Sequence, residues 1–530
     1  MSENRGFFWE KLEPFIGRKD IVSQYIQKLQ EGNFSFEAIT ASYGYGKTRL
    51  LKEILKTARK ECKDIALPRQ EIDLYHTENH SPEGLAASIV KSLCDYDFYF
   101  SGRFSAYDEF RQKREEARLV GNTSDVKRYT DEMLNECKKS LCTISQERGL
   151  LLLFDTAERW IYPEILDAPF DTNIAPAWQW LKELCGQLPR GLVLLAGRDE
   201  ITSLGFQSEQ IKKLGLFSYD ETHDYVAAVA KLYRRKYHKS FKPFLSTEIS
   251  RLHKVSRGRP ILLAMFLQLV AGGNDKIRSE IGELSIETSD NLFESAIIRH
   301  LMDDPSINLF LRLVGHAPKG VDKELLMDMT GLDESRVNEG IQNLKRMSFV
   351  KTFLGSSKLF LHDEMYAILE RTVYMSVRDV EQDSAFQGIY KYYKKNTSEK
   401  SHHIGNLYDQ YTIAENREKR RIWNKIDLAQ NELRNLNADF AFYRWLRPAK
   451  RGEDAIEMGL RRYYRIAHEA ALSSDTQTLL LLRFEIINFI KKIEKRTDIP
   501  STQWHSFLRG FLYFQYVLEI YDACQNTKLP

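Results

Sequence analysis

One segment, Ala41–Thr48, constrains the fold of this chain more than any other. It reads Ala-Ser-Tyr-Gly-Tyr-Gly-Lys-Thr. The residues before it, Phe34–Thr40, predict a β-strand, and Lys47–Lys60 carries apolar residues at helical spacing. A strand, a glycine turn and a helix in this order are typical of an α/β domain. The segment therefore predicts one strand and the helix that follows it.

The residue types in this turn are those that bind a phosphate chain, which needs inward-pointing backbone N–H groups, a helix N-terminus and a fixed cation. Gly44 and Gly46 permit the close approach. Lys47 can reach the β- and γ-phosphates, and the Thr48 hydroxyl can ligate Mg²⁺. Ala41 stands where the usual P-loop pattern has its first glycine. We therefore predict a P-loop that binds ATP or ADP with Mg²⁺ through Tyr43, Gly44, Tyr45, Gly46, Lys47, Thr48 and Arg49.

Two later apolar strands carry polar residues at their ends. Leu150–Asp155 ends in a carboxylate, which is the Walker B arrangement for holding Mg²⁺. Glu158 either orients the attacking water or is a first-turn helix carboxylate favoured by the helix dipole. Leu192–Ala196 is followed by Arg198, which either senses the γ-phosphate or forms a surface salt bridge. The candidate catalytic residues are Lys47, Asp155, Glu158 and Arg198, and the candidate metal ligands are Thr48 and Asp155.

Short apolar runs alternate with helical patterns through the first 218 residues. The runs lie at Gln70–Tyr75, Gly149–Phe154 and Leu192–Ala196. This alternation predicts a parallel sheet covered by helices, so residues 1–218 are interpreted as an α/β P-loop NTPase domain. Asp95–Thr123 is charged and aromatic with weak periodicity, and we interpret it as an insertion between elements of the sheet.

The rest of the chain has a helical pattern, except for two short strands predicted within residues 305–375. Residues 219–304 predict a helical subdomain that is interrupted at Gly258–Pro260. Residues 305–375 read as three helices followed by two strands, which is the order of a winged helix. Residues 376–530 predict an all-α region with a polar break at Lys394–His403.

Composition excludes several other classes of protein. At 530 residues, the chain is expected to hold about three or four domains of roughly 150 residues each. It has neither an apolar stretch long enough to span a membrane nor an N-terminal secretory signal, so we expect a cytoplasmic protein with no membrane partner. Six cysteines without CxxC spacing predict reduced, mostly buried thiols. A net charge of +3 does not by itself indicate a nucleic-acid partner.

Five features, in this order, resemble the STAND class of signal-transduction ATPases, which are relatives of AAA+ proteins. Pro14–Arg18 resembles the family's lead-in motif, although Lys19 stands where an acid is usual, and the P-loop follows. Phe154–Glu158, with Arg198 after it, resembles the bacterial Walker B form and the sensor arginine. Gly258–Pro260 resembles the GxP motif, and Leu361-His362-Asp363 resembles the motif after the winged helix. The resemblance covers residues 13–372. It implies that the base and ribose lie against Phe15, Arg18 and Pro260, and that the β-phosphate contacts His362.

Some of these motifs also have ordinary structural interpretations. Pro260 suits the first turn of any helix, and Asp363 suits a helix N-cap. The order of the five motifs, rather than any one of them beyond the P-loop, therefore carries the resemblance.

The resemblance implies a molecular switch that hydrolyses ATP slowly. ADP would hold a closed monomer, a trigger felt by the C-terminal helices would open it, and ATP would support self-assembly or binding of a protein effector. Because about a dozen residues precede Phe15, the output is expected from the C-terminal region, a partner chain or part of a longer protein.

Two other functions compete with the switch. One is a scaffold that binds nucleotide without turnover. The other is an AAA+-like DNA-binding ATPase, whose contacts to DNA would come from the third helix of the winged helix through Arg336, Asn338, Asn343, Lys345 and Arg346.

Overall fold

The computed structural model describes residues 14–439, except 43, 120, 162–174, 238–241, 284–288, 318, 353–356, 370–371, 374–379, 416–417, 420, 423–424, 427, 431, 434–435 and 437–438. The described residues divide into two compact units. The larger contains those within 14–158 and 179–392, and the smaller contains those within 159–178 and 393–439. The predicted site residue Tyr43 and the predicted helices after residue 440 lie outside the described residues.

A five-stranded parallel sheet forms the centre of the larger unit. Its strand order is β2-β3-β4-β1-β5. All residues of β3 and β4 are buried, as expected for strands that are covered on both faces. The parallel sheet predicted from the alternating pattern is confirmed, and its strands are β1 (Phe34–Thr40), β2 (Ile72–Asp73), β3 (Leu150–Asp155), β4 (Gly191–Gly197) and β5 (Ile211–Lys213).

Helices cover the sheet and fix the position of the P-loop. Apolar residues of the first two helices pack with Ile39 of β1 and with residues of β3 and β4 in one core. Burial of each large aliphatic side chain in such a core stabilises the fold by about 1.5–3 kcal/mol. The core therefore holds the glycine turn between β1 and the second helix in a fixed place. The helices of this region are α1 (Lys19–Glu31), α2 (Lys47–Glu61), α3 (Pro82–Tyr96), α4 (Ser105–Leu119), α5 (Thr123–Arg148) and α6 (Pro176–Cys185).

The segment interpreted as an insertion, Asp95–Thr123, is helical. A 3₁₀ turn over Phe98–Phe104 leads into α4, which packs against α5. Tyr107 is buried in this segment, and its ring lies 6.4 Å from the ring of Phe104. Because a 3₁₀ turn has about 3.0 residues per turn and an α-helix about 3.6, the sequence of this segment shows no single period.

After the sheet, the larger unit continues with helices and one pair of antiparallel strands. Three helices are followed by two antiparallel strands and a short helix, and we call this stretch, Pro305–Leu369, the winged-helix region. The helical elements before it are α7 (Tyr219–Tyr237), α8 (Ser246–Ser256), α9 (Pro260–Ala271), α10 (Asp275–Glu283) and α11 (Ser289–Met302). The winged-helix region contains α12 (Pro305–Gly315), α13 (Lys323–Thr330), α14 (Glu334–Lys345), β6 (Val350–Thr352), β7 (Leu359–Leu361) and α15 (Asp363–Leu369).

One long helix, α16 (Val380–Ile413), corrects a detail of the sequence analysis. The polar break predicted at Lys394–His403 is wrong, because α16 runs through it. That stretch contains neither proline nor glycine, and a hydrophilic segment of this kind can stay helical in water. In the smaller unit, Ile404 and Leu407 of α16 pack with Ile426. Within the described residues, no helix combines the length and the apolar character that crossing a bilayer requires.

Candidate nucleotide-binding site

A cavity of about 850 Å³ lies at the carboxyl ends of β1 and β3 in the larger unit. Its volume is within the range of about 300–1,000 Å³ that is typical of small-molecule sites. One side, the P-loop wall, is formed by Gly44, Tyr45, Gly46, Lys47, Thr48, Asp73, Asp155 and Glu158. Another side, the winged-helix wall, is formed by Lys345, Ser348, Val350, Lys351, Thr352, Lys358 and His362.

The glycine turn has the backbone geometry that the sequence predicts. Gly44 and Gly46 have φ angles of +73° and +85°, which glycine adopts readily and other residues rarely do. α2 begins at Lys47, directly after Gly46. Ala41, at the position of the missing glycine, is buried, and its N–H donates to the Gly197 carbonyl at 3.2 Å. Its φ is not among the positive values, so alanine fits this position without strain.

The Lys47 ammonium lies inside this turn. Its Nζ donates to the carbonyl oxygen of Ala41 at 2.7 Å and to that of Ser42 at 3.1 Å. Tyr45 packs against the core cluster of α1 and α2, and Arg49 lines the cavity with its guanidinium 3.6 Å from the Glu53 carboxylate. The N-terminus of α2 and a fixed cation therefore lie at one place, which is the arrangement that binds phosphate.

The two predicted metal ligands are in direct contact. The Thr48 hydroxyl donates to Oδ2 of Asp155 at 2.5 Å, and Oδ1 of Asp155 accepts the Thr156 N–H at 3.0 Å. A hydroxyl and a carboxylate are hard oxygen ligands of the kind that Mg²⁺ prefers. The donor set therefore fits Mg²⁺, with Thr48 and Asp155 as its protein ligands.

A second carboxylate beside Asp155 was missed by the sequence analysis. Asp73, at the end of β2, pairs in register with Asp155 and is also buried. Burial raises the pKa of Asp155, and the charge of Asp73 raises it further, against the charges of Lys351 and Lys47 and the hydrogen bond from Thr48. Two buried carboxylates side by side favour a bound cation. The sequence signal for it is a carboxylate, Asp73, inside the short run Gln70–Tyr75.

Glu158 and Arg198 form a pair. Oε1 of Glu158 accepts from Nε of Arg198 at 3.0 Å, and Oε2 accepts from the Arg198 backbone N–H at 3.1 Å. Glu158 is buried and lines the cavity, whereas Arg198 is not among the described residues that line it. Thr156, which lies between Asp155 and Glu158, has a φ of +62°, an uncommon value for a β-branched residue. The structure thus joins the two predicted catalytic residues in a salt bridge, and only Glu158 reaches the cavity.

Residues of the lead-in motif and of the GxP motif also line the cavity. Phe15 and Arg18 line it, and Arg18 donates from Nη2 to the Gly215 carbonyl at 3.0 Å. The Arg18 guanidinium lies 5.5 Å from the centre of the Phe217 ring, and burial lowers its pKa while the charge of Glu221 raises it. Phe217 also lines the cavity, and the sequence analysis missed it because no motif marks it.

The GxP motif is joined to the P-loop through the backbone. Pro260 is the first residue of α9, and the N–H of Ile261 donates to the Gly44 carbonyl at 3.3 Å. Tyr225 of α7 also lines this part of the cavity, with its ring 5.7 Å from that of Phe217. An apolar and aromatic surface of this kind suits a flat base.

The winged-helix wall contains His362 and three lysines. The His362 N–H donates to the Phe349 carbonyl at 2.8 Å, which places this residue just after β7 and beside the cavity. The three lysines, Lys345, Lys351 and Lys358, were not predicted to lie here. Nine lysine or arginine residues line the described cavity against four carboxylates, so its excess positive charge suits a polyanion. The nine are Arg18, Lys47, Arg49, Lys52, Arg59, Arg69, Lys345, Lys351 and Lys358, and the four are Glu71, Asp73, Asp155 and Glu158.

The face of α14 that would read DNA carries both signs of charge. Arg336 and Asn338 are exposed, but so are Glu334 and Glu339. Lys345, at the end of the same helix, lines the nucleotide cavity. The exposed face of α14 is therefore not the basic patch that a DNA-binding surface presents.

The sheet order, the P-loop at the end of β1 and the Thr48–Asp155 contact define a P-loop NTPase fold, which confirms the fold class that the STAND resemblance implies.

No protein-family model and no curated protein matches the chain. Among solved structures, it is similar to a Signal Transduction ATPase with Numerous Domains (STAND) protein with a tetratricopeptide repeat sensor from Pyrococcus horikoshii. The identity is 14% and the TM-score 0.41, over 97% of this chain and 70% of that one. It is also similar to Drosophila ORC bound to DNA, with 11% identity and a TM-score of 0.31, over 66% of this chain and 85% of that one. At these values, neither structure tells what this chain binds or does.

Proposed function

We propose that this chain is an ATP/ADP-dependent molecular switch that binds Mg-ATP, hydrolyses it slowly and changes conformation to signal. One observation carries the proposal: a single cavity is lined both by the P-loop and by the winged-helix region. A nucleotide held there contacts both walls. Exchange of ADP for ATP then changes the relative free energies of the conformations in which the walls are together or apart.

The P-loop wall supplies most of the affinity. The backbone N–H groups that follow Gly44 and Gly46 surround the phosphates, and Lys47 donates to the β- and γ-phosphates. Thr48 and Asp155 would hold Mg²⁺, and the ion would supply positive charge beside the phosphates. Phe15, Arg18 and Pro260 face the base and ribose.

The winged-helix wall supplies the coupling. His362 donates or accepts a hydrogen bond at the β-phosphate, and it belongs to a region that can leave when the nucleotide changes. A charge-assisted hydrogen bond contributes about 1.5–3 kcal/mol, which is enough to shift a two-state equilibrium by a factor of about 10–100. A few such contacts therefore suffice for a switch.

Slow hydrolysis follows from the Glu158–Arg198 pair. A general base must accept a proton from the attacking water. Both oxygens of Glu158 already accept hydrogen bonds from Arg198, and these bonds compete with an attacking water for the carboxylate. Turnover is then limited by how often Glu158 leaves this pair, which suits a switch better than a metabolic enzyme.

We also propose the division of the chain that accompanies this function: residues 1–218 bind nucleotide, 219–304 form the helical subdomain and 305–375 form the winged helix. Residues 376–530 act as a sensor or docking region for a protein trigger, an effector or further copies of the chain.

The test is the bound nucleotide and the mass of the purified protein, before and after exchange into ATP with Mg²⁺. We expect a monomer that carries ADP and forms a larger assembly with ATP, while Lys47→Ala carries no nucleotide and does not assemble. The same mass with both nucleotides, with and without candidate partners, would contradict the switch. Salt-sensitive binding of duplex DNA without nucleotide-dependent assembly would favour the DNA-binding ATPase instead.

A further inference from the structure

One lysine of the winged-helix region, Lys351, lies on the same strand face as Phe360. β6 and β7 pair with Lys351 opposite Phe360, so these two side chains share a face. Lys358, just before β7, lines the same cavity as Lys351. The flanking residues Val350 and Leu361 are opposite each other on the other face, and both are buried.

The face that carries Lys351 is docked against the nucleotide domain. The Phe360 ring lies 6.1 Å from the ring of Tyr75 and 6.1 Å from that of His76. Lys319 adds a contact, with its Nζ 5.2 Å from the centre of the Tyr75 ring. Gly320 has a φ of +80°, and a Cβ there would come within 2.7 Å of Phe360, so the docking uses a position that only glycine fills.

This contact directs Lys351 toward the Mg²⁺ ligand. Tyr75 and His76 follow β2, whose last residue, Asp73, pairs in register with Asp155. Lys351 and Asp155 line the same cavity, and Lys351 is half-buried. The cavity thus brings a buried carboxylate of the nucleotide domain and a lysine of the winged-helix region to one place.

We propose that Lys351 is a specificity-determining residue that takes the place of Mg²⁺ beside Asp155 while the winged-helix region is docked. Its ammonium has three donors, which is enough to serve Asp155 and one phosphate oxygen together. The docked form then binds a nucleoside diphosphate without a divalent cation. A magnesium triphosphate needs Asp155 for the metal, so it binds with Lys351 displaced. This inference rests on the proposed function and adds to it the means by which the site distinguishes the two nucleotides.

The experiment compares two affinities, measured by titration calorimetry on the full chain: that of ADP with EDTA, and that of a non-hydrolysable ATP analogue with excess Mg²⁺. In the wild type, we expect removal of Mg²⁺ to change ADP affinity less than about threefold. In Lys351→Met, we expect the preference for metal-free ADP over the magnesium analogue to fall about tenfold or more, as loss of a charge-assisted contact predicts. Excess Mg²⁺ should restore ADP binding to this variant, and Lys351→Arg should keep the preference of the wild type.

Lys323→Met is the matched control. Lys323 belongs to the same region, is not among the described residues that line the cavity and pairs with Glu334 at 3.0 Å. We expect this variant to keep the wild-type preference, and thermal unfolding checks that every variant is folded.

The outcomes separate the inference from the proposed function. If the folded wild type binds neither nucleotide, the proposed function fails and takes the inference with it. If the wild type binds both nucleotides but its ADP affinity collapses in EDTA, or Lys351→Met keeps the wild-type preference within about threefold, the inference alone is overturned.

Discussion

The two walls of the cavity are built in different ways. The glycine turn of the P-loop wall is local: Gly44, Lys47 and Thr48 lie within five residues, and one strand and one helix fix them. The winged-helix wall comes from a distant part of the sequence, because Lys351 and His362 lie some 300 residues further along the chain and line the same cavity. The first wall suits permanent binding, and the second suits a contact that is made and broken.

Several contacts of the described residues join the winged-helix region to the rest of the larger unit. The Gln268 side chain donates to the Arg346 carbonyl at 2.7 Å and accepts the Ser348 N–H at 3.0 Å. Phe360 provides the aromatic contact to Tyr75. Two of these contacts are the hydrogen bonds of Gln268, so the interface resembles one between subdomains more than a continuous apolar core. Four changes test this contrast.

The largest effect is expected on the P-loop wall. Lys47→Ala removes the cation fixed inside the glycine turn and should weaken both ATP and ADP about a hundredfold or more, since it loses two charge-assisted contacts. Calorimetric titration measures the loss. Lys323→Ala serves as the control and should bind like the wild type. Equal binding by Lys47→Ala would show that the P-loop wall is not the anchor.

Gln268→Ala should weaken the attachment of the winged-helix region without changing a residue that lines the cavity. It leaves the Arg346 carbonyl and the Ser348 N–H without this partner, and we expect the free energy of unfolding to fall by about 2 kcal/mol. Thermal unfolding measures the change. Gln342→Ala, at an exposed glutamine of α14, should change stability by less than about 0.5 kcal/mol. If both variants unfold alike, Gln268 does not join the two subdomains.

Thr48→Val tests the magnesium contact alone. Valine keeps the shape of threonine but cannot ligate a metal, so the affinity for the magnesium triphosphate should fall about tenfold while metal-free ADP binding changes little. Thr48→Ser, which keeps the hydroxyl, should bind both nucleotides like the wild type. A loss that is the same with and without Mg²⁺ would assign Thr48 to the phosphates instead.

The smallest effect is expected at the Glu158–Arg198 pair. Arg198→Met removes the side-chain hydrogen bond to Glu158 and should raise the rate of ATP hydrolysis about threefold, because water then competes with one donor fewer for the carboxylate. Steady-state phosphate release measures this rate, and Glu158→Gln should abolish the increase in the double variant. A large fall in the rate of ATP hydrolysis in Arg198→Met would instead indicate that Arg198 contacts the γ-phosphate.

The sequence predicts the parts of this molecule that short segments determine. β1, the glycine turn and α2 are read from neighbouring residues, and so is Asp155 at the end of an apolar run. β5 is missed because Ile211–Lys213 is short and polar and becomes a strand only by pairing with β1. The roles of the site residues stay predictions.

Sequence patterns do not predict which residues tertiary contacts bring to the site. Asp73 matters because β2 pairs with β3, and the sequence does not reveal strand order. Phe217 and Lys351 belong to no motif, and their positions depend on how helices and strands dock over long separations in the chain. His362 was found only because the family resemblance marks it.

One helix, α9, connects the glycine turn to the segment that precedes β6. At its start, the N–H of Ile261 is bonded to Gly44 in the glycine turn, and seven residues later Gln268 holds the backbone on either side of Met347. Those seven residues span about 10 Å of α-helix, which is stiff along its axis. A small displacement of Gly44 on arrival of a phosphate would therefore move the first strand of the winged-helix region as well, without any rearrangement of the side chains between them.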